Sequence, residues 1–245
     1  MGKGKDDNNV VNVSGSVSTE FKFDHEVFGE KFYVCFLDIK RVSGTVDTIK
    51  VIVSDRLVDV KKVKVGMYVE VSGQFRSFTD KSKGAGSGRH LILYVFATKF
   101  NEVDRAGYYA DKNFIEIFGT ICRKPTYRTT PMGRQLSDVL FAVNRSYGKS
   151  DYLPIIFWGR NANFAKDLPV GTKLHIIGRV QSREYVKKLD GSSESETSVQ
   201  NQDYAKKLEE VSEPEKTGKS EIRVAYEVSV LKVYLVKDDT EDGEE

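Results

Sequence analysis

The chain is poor in the residues that most metal sites and disulfide frameworks are built from. Its 245 residues include two cysteines, three histidines and one tryptophan. Cys35 and Cys122 form neither a disulfide ladder nor a metal-ligand spacing. Cys35 falls on an apolar strand face, so a core thiol is expected, and a reducing cytoplasm fits. His25, His90 and His175 stand apart from one another, which leaves no ligand set for a metal. There is no Gly-rich phosphate loop ending in Lys-Ser/Thr and no G-x-S-x-G turn. No enzyme, cofactor or metal is therefore expected. No apolar run is long enough to span a bilayer. The start, MGKGKDDNN, lacks the apolar segment of a signal peptide, and Asp6 breaks the myristoylation pattern. No membrane partner is expected.

Charge is scarce only in the net. The sum is +2, but its distribution is uneven. The last eight residues, DDTEDGEE, hold six carboxylates and no base. Residues 187–221 hold six lysines against nine acids. Elsewhere 32 basic residues face 21 acidic ones, a net of +11. A basic body with acidic mobile parts suggests a polyanion partner and a competing tail.

What the chain does have is an internal repeat. Residues 29–54 and 133–158 align without a gap: Gly29 meets Gly133, Arg41 meets Arg145, Gly44 meets Gly148 and Asp47 meets Asp151. Upstream, Gly15 meets Gly119. With one inserted residue, Gly66 and Gly73 meet Gly171 and Gly178. Period-2 alternation and Val/Ile/Phe/Tyr content predict strands in each copy. They fall near 10–19, 31–41, 46–54, 67–78 and 90–99, then near 113–122, 135–144, 151–159, 171–183 and 222–236. A short helix is expected at 55–63 in the first copy and at 160–167 in the second. Five strands with a helix between the third and fourth is the plan of the OB-fold, a small Greek-key barrel. The expected fold class is all-β: two tandem OB-folds.

The expected domains are an N-terminal barrel at 10–100, a linker at 101–112, a C-terminal barrel at 113–236 and an acidic tail at 237–245. The loop SKGAGSGR, 82–89, is short, basic and Gly-rich. Its counterpart, 186–221, is rich in Ser, Glu, Lys and Gln and has too little apolar surface to offset its ordering entropy, which predicts disorder. A short helix near 203–211 is compatible with its sequence.

The candidate binding residues come from strand parity. Leu153, Ile155 and Phe157 form the inward set, so Tyr152, Pro154, Ile156 and Trp158 share the outward face. On the next-to-last strand Lys173, His175, Arg179, Gln181, Arg183 and Tyr185 share the outward parity, with Leu174, Ile176 and Val180 inward. Rings interleaved with guanidiniums suit a single-stranded nucleic acid: rings stack on exposed bases and cations neutralise phosphates. In the first copy the matching positions are Thr48, Lys50, Ile52 and Ser54, so both rings are gone. Tyr68 and Phe78 are left as weaker stacking candidates there. The first barrel is expected to serve assembly or an auxiliary role.

The second copy resembles the bacterial single-stranded DNA-binding proteins of the replication machinery. The resemblance is carried by FGTICRKPTYRTTPMGRQLSDVLFAVNRSYGKSDYLPIIFWGRNANFAKDLPVGTKLHIIGRVQSREY, 118–185. It implies sequence-independent binding and protection of single-stranded DNA in replication, repair or recombination. It implies stacking by Tyr152, Trp158 and Tyr185, with Tyr147 as a fourth ring. Arg145, Arg160, Arg179 and Arg183 match basic positions along the DNA path. The family's four-domain habit implies a homodimer presenting four barrels, in the cytoplasm and associated with the nucleoid. Family tails usually end in an apolar pair that docks replication and repair proteins; here the sequence ends Gly243-Glu244-Glu245, without that tip. Two other readings stay open on residues alone: a single-stranded RNA or tRNA binder, and a primosome-type adaptor acting mainly through protein contacts.

Overall fold

The computed structural model describes residues 8–80, 90–105, 111–188, 197–198 and 220–236. The loop 82–89, residues 106–110 of the linker, the helix candidate at 203–211 and the acidic tail lie outside the described residues.

The strands are β1 (Asn9–Val17), β2 (Lys22–Val27), β3 (Glu30–Lys40), β4 (Val46–Ser54), β5 (Tyr68–Asp80), β6 (His90–Glu102), β7 (Asn113–Ile121), β8 (Thr126–Thr129), β9 (Gln135–Asn144), β10 (Ser150–Trp158), β11 (Lys173–Lys188), β12 (Thr197–Ser198) and β13 (Ser220–Leu235). Among the described residues one α-helix, α1, spans Arg160–Ala165. Each half closes on itself. In the first, β1 pairs with both β5 and β3, and the circuit continues through β6 and β4. In the second, β7 pairs with both β11 and β9, and β13 and β10 complete the ring. The β4–β6 and β10–β13 pairings are parallel; the rest are antiparallel. Both units are five-stranded OB barrels.

The alternation explains the core. Leu153, Ile155 and Phe157 are buried, as are Ile49, Val51 and Val53. They pack against Leu174, Ile176 and Val180 in the second unit and Val69, Val71 and Phe75 in the first. The paired glycines mark close strand approaches. A Cβ on Gly73 would sit 2.0 Å from the Phe96 carbonyl oxygen, and one on Gly178 would sit 2.4 Å from that of Ser229. Only glycine admits the partner backbone there.

Four local expectations are corrected. Residues 55–63 form turns and no helix. Val58, Val60 and Val63 are β-branched, and they lie against the core from an irregular backbone. In the second unit Ala162 and Ala165, one turn apart, are both buried, so α1 forms. The strands β2 and β8 escape sequence detection because they are short and almost wholly exposed, with no apolar face to produce alternation. The hairpin of β11 and β13 also runs deeper than composition suggests. Val186 pairs with Ile222, Lys187 with Glu221 and Lys188 with Ser220, inside the segment expected to be disordered. Finally, Tyr68 has outward parity but is buried. Its hydroxyl bonds to Ser14 and donates to Asp111 of the linker, which lies over it.

The two barrels meet about a pseudo-twofold axis. β1 and β7 pair antiparallel with Val11 opposite Ile115, and these two residues are equivalents in the repeat. Two sets of backbone hydrogen bonds at the seam occur in duplicate. The Ser77 amide donates to Asp151 Oδ1 at 2.5 Å, and the Ser182 amide donates to Asp47 Oδ1 at 2.9 Å. The Tyr152 amide donates to Ser77 Oγ at 2.8 Å, and the Thr48 amide donates to Ser182 Oγ at 3.0 Å. Among the described residues no helix is long and apolar enough to cross a membrane.

Candidate nucleic-acid interface

The outer face of the second barrel is built from β9, β10, β13 and β11. Strand pairing places Trp158 opposite Leu136, Tyr152 opposite Ala142, and Ile156 opposite Ser229. Arg179 then lies opposite Ser229, Gln181 opposite Glu227 and Arg183 opposite Ala225. Trp158 is half-buried and Tyr152 is 46% exposed. Ile156 and Gln181, also of outward parity, are covered. Arg160 is exposed at the first turn of α1, directly after the tryptophan and Gly159.

The guanidiniums are not equivalent. Arg179 is half-buried, and its buried Nε has no hydrogen-bond partner among the described residues. Burial first, and the Arg41 charge second, lower its pKa; Asp47 opposes this. A cation held out of water with an unmet donor favours an incoming anion. Arg183 lies 4.0 Å from Glu227, which is buried and takes a hydrogen bond from Gln181 Nε2. Burial raises the Glu227 carboxyl above its ordinary value, against the pull of Arg183 and Gln181.

Arg145 and Tyr147 stand elsewhere, at the seam. Arg145 Nε donates to Asp151 Oδ2 at 2.6 Å, its Nη2 donates to Oδ1, and Nη2 also donates to the Ser77 carbonyl at 3.0 Å. Asp151 raises the pKa of this arginine above its ordinary value. The same pair recurs as Arg41 and Asp47. Arg145 thus joins a hairpin to the neighbouring barrel, away from the face of Trp158 where the resemblance had grouped it. Tyr147 is fully exposed at φ 71°, a left-handed backbone unusual for a large side chain. The backbone of Tyr185 continues β11, and its ring lies outside the described side chains. The structure thus brings Tyr152, Trp158, Arg179 and Arg183 onto one face, with Arg160 beside it.

Sequence reasoning missed the rings of the first barrel, because they sit on strands other than the one that matches Trp158. Phe32 on β3 and Phe96 on β6 lie 5.8 Å apart. His25 stacks on Phe32 at 4.7 Å and 8°, and the Arg76 guanidinium covers Phe96 at 3.8 Å. Both have the outward parity of their strands, but Phe32 is buried and Phe96 half-buried.

Two joined OB barrels define a tandem OB-fold protein, and its second barrel carries rings and cations on one face. Residues 112–206 match the single-strand binding protein family. The single-stranded DNA-binding protein of Clostridium tetani is 30% identical over 94 residues, covering 36% of this chain and 64% of that protein. Single-stranded DNA-binding protein 1 of Staphylococcus aureus is 31% identical over 80 residues, covering 30% and 48%. The chain thus spans about half to two thirds of the length of these curated relatives. Among solved structures, a deletion mutant of the single-stranded DNA binding protein from Thermus aquaticus superposes with a TM-score of 0.66 at 17% identity, over 96% of this chain and 98% of that one. That likeness extends to both barrels and bears on the fold. Through its second barrel, the chain is similar to the single-strand binding protein family over residues 112–206.

Proposed function

We propose that this protein binds single-stranded DNA without sequence specificity, chiefly on the outer face of its second barrel, and so protects exposed strands in replication, repair or recombination. The observation that carries the reading is the placing of Tyr152 and Trp158 on the face that also holds Arg179, whose Nε has no partner among the described residues. Stacking supplies affinity that any base can satisfy, and the arginines supply the salt-dependent part. The first barrel acts as an auxiliary unit. The active species is a homodimer with four barrels. Its support is an outward sheet face where Phe114, Phe118 and Tyr234 stand on β7 and β13, with His175 stacked on Phe118 at 4.0 Å.

Trp158 is the only tryptophan, so its fluorescence reports one site. Titration with oligo-dT is expected to quench it strongly, and RNA of matched length is expected to compete poorly. Trp158→Ala is expected to weaken binding by roughly 5- to 150-fold, from about 1–3 kcal/mol per stacked base. Light scattering on the same samples is expected to give twice the 27.7 kDa chain mass. Binding in a gel shift with unchanged Trp158 emission would overturn the assignment of this face.

A further inference from the structure

We propose that the cleft between the two barrels is a phosphate-binding site, with Arg76 and Lys149 as its ligating cations, which passes a single strand from the second barrel onto the first. This rests on the single-strand reading above. The cleft has a volume of about 550 Å³ and lies between β5 and the turn joining β9 to β10. Three cations line it, Arg76, Arg145 and Lys149, against one carboxylate, Asp151.

That carboxylate is already used. It accepts two bonds from Arg145 and one from the Ser77 amide. Arg76 therefore has only a neutral acceptor: its Nε and Nη2 donate to Gln74 Oε1 at 3.2 and 2.9 Å. Lys149 is exposed at the end of the turn. Burial first, and the neighbouring Arg145 charge second, lower the Arg76 pKa, consistent with a cation short of a counter-ion. A phosphodiester is a monoanion that accepts hydrogen bonds and donates none, and it matches donors of this kind.

The surroundings favour a polynucleotide over a free phosphate. On one side stand the exposed Tyr147 and Tyr152, on the other Phe96 beneath Arg76. Ring, cation, cation, ring is the order that a strand requires as bases and phosphates alternate. The site is built on one side of the pseudo-twofold axis only. Gln181, Thr45 and Ser43 occupy the repeat positions of Arg76, Lys149 and Tyr147.

The test compares wild type with R76Q/K149Q, using Trp158 quenching by oligo-dT of about 8 and about 30 nucleotides, lengths within and beyond the span of one barrel. With the long oligomer, the slope of log K against log salt is expected to shrink by about 1.4, at ~0.7 for each phosphate that is no longer neutralised. The short oligomer is expected to bind both proteins equally. The charge-retaining R76K/K149R variant is expected to restore most of the slope, and thermal melts check that all variants are folded. Equal slopes for the long oligomer, or equal losses at both lengths, would overturn the crossing site and leave the second barrel's role intact. A wild type that binds neither oligomer would overturn the parent reading, and this site with it.

Discussion

Removing the carboxylate of Asp151 is expected to damage the fold out of proportion to its size. The residue is 1% exposed and serves both barrels at once. It receives two hydrogen bonds from Arg145 and one, at 2.5 Å, from the Ser77 amide across the seam. Asp151→Ala leaves a half-buried guanidinium without its counter-ion and a backbone donor without an acceptor. Breaking a buried pair from one side costs about 3–5 kcal/mol. The Arg145 side chain keeps 25% exposure and can rehydrate in part, which argues for the lower end. The orphaned Ser77 donor adds about 1–3 kcal/mol. A loss of about 4 kcal/mol is therefore expected, a large share of the ~5–15 kcal/mol that holds a domain together. Urea unfolding followed by Trp158 emission measures it. Asp47→Ala is expected to cost a similar amount, since Asp47 meets Arg41 and Ser182 in the same way. A loss below about 1 kcal/mol would place the Asp151 pair with ordinary surface ion pairs and refute the reasoning.

Two further outcomes follow from buried titratable groups. Burial raises the Glu227 carboxyl above 4.5, so folding favours its protonated form; its cost to stability is absent below the unfolded value and grows as pH rises through the folded one. Glu227→Gln is then expected to raise the melting temperature at neutral pH and leave it unchanged near pH 4, and a variant that is less stable at pH 7 would contradict this. Burial pushes the Cys35 thiol up to about 12, whereas Cys122 is only partly buried. A thiol reagent at pH 8 is expected to modify Cys122 in the native protein and Cys35 only on unfolding, as peptide mapping would show.

The barrels were legible because their signal is the strongest kind: alternation over nine or more residues, repeated. Leu153, Ile155 and Phe157 could face only one way once Tyr152 and Trp158 shared the opposite parity, and burial agrees. The outward placing of Tyr152 and Trp158 follows from the same parity. Parity sets direction but not cover, and that accounts for the exceptions. Tyr68 and Gln181 both have outward parity and both are buried, one under Asp111 of the linker and the other beside Glu227. Composition cuts the hairpin of β11 and β13 short because its outer pairs, such as Lys187 with Glu221, are polar residue types, while the backbone ladder continues without regard to them.

The seam was hidden for a different reason, and its geometry explains which residues the two copies were free to change. A twofold interface is self-complementary: the same patch serves both partners in exchanged roles. Here the partners are the halves of one chain. Each half must therefore supply both an aspartate that receives and a serine that gives. The first supplies Asp47 and Ser77; the second supplies Asp151 and Ser182. Loss of either role in either copy would leave a buried polar group unmet on the other side. That double duty is why Arg41, Asp47 and Ser77 still match Arg145, Asp151 and Ser182. The outer faces carry no such constraint, because nothing in the other copy depends on them. Tryptophan could stand at 158 and serine at 54. The resemblance sets Arg145 on the DNA path; in the structure its guanidinium is held by Asp151 and the Ser77 carbonyl, as that of Arg41 is held by Asp47.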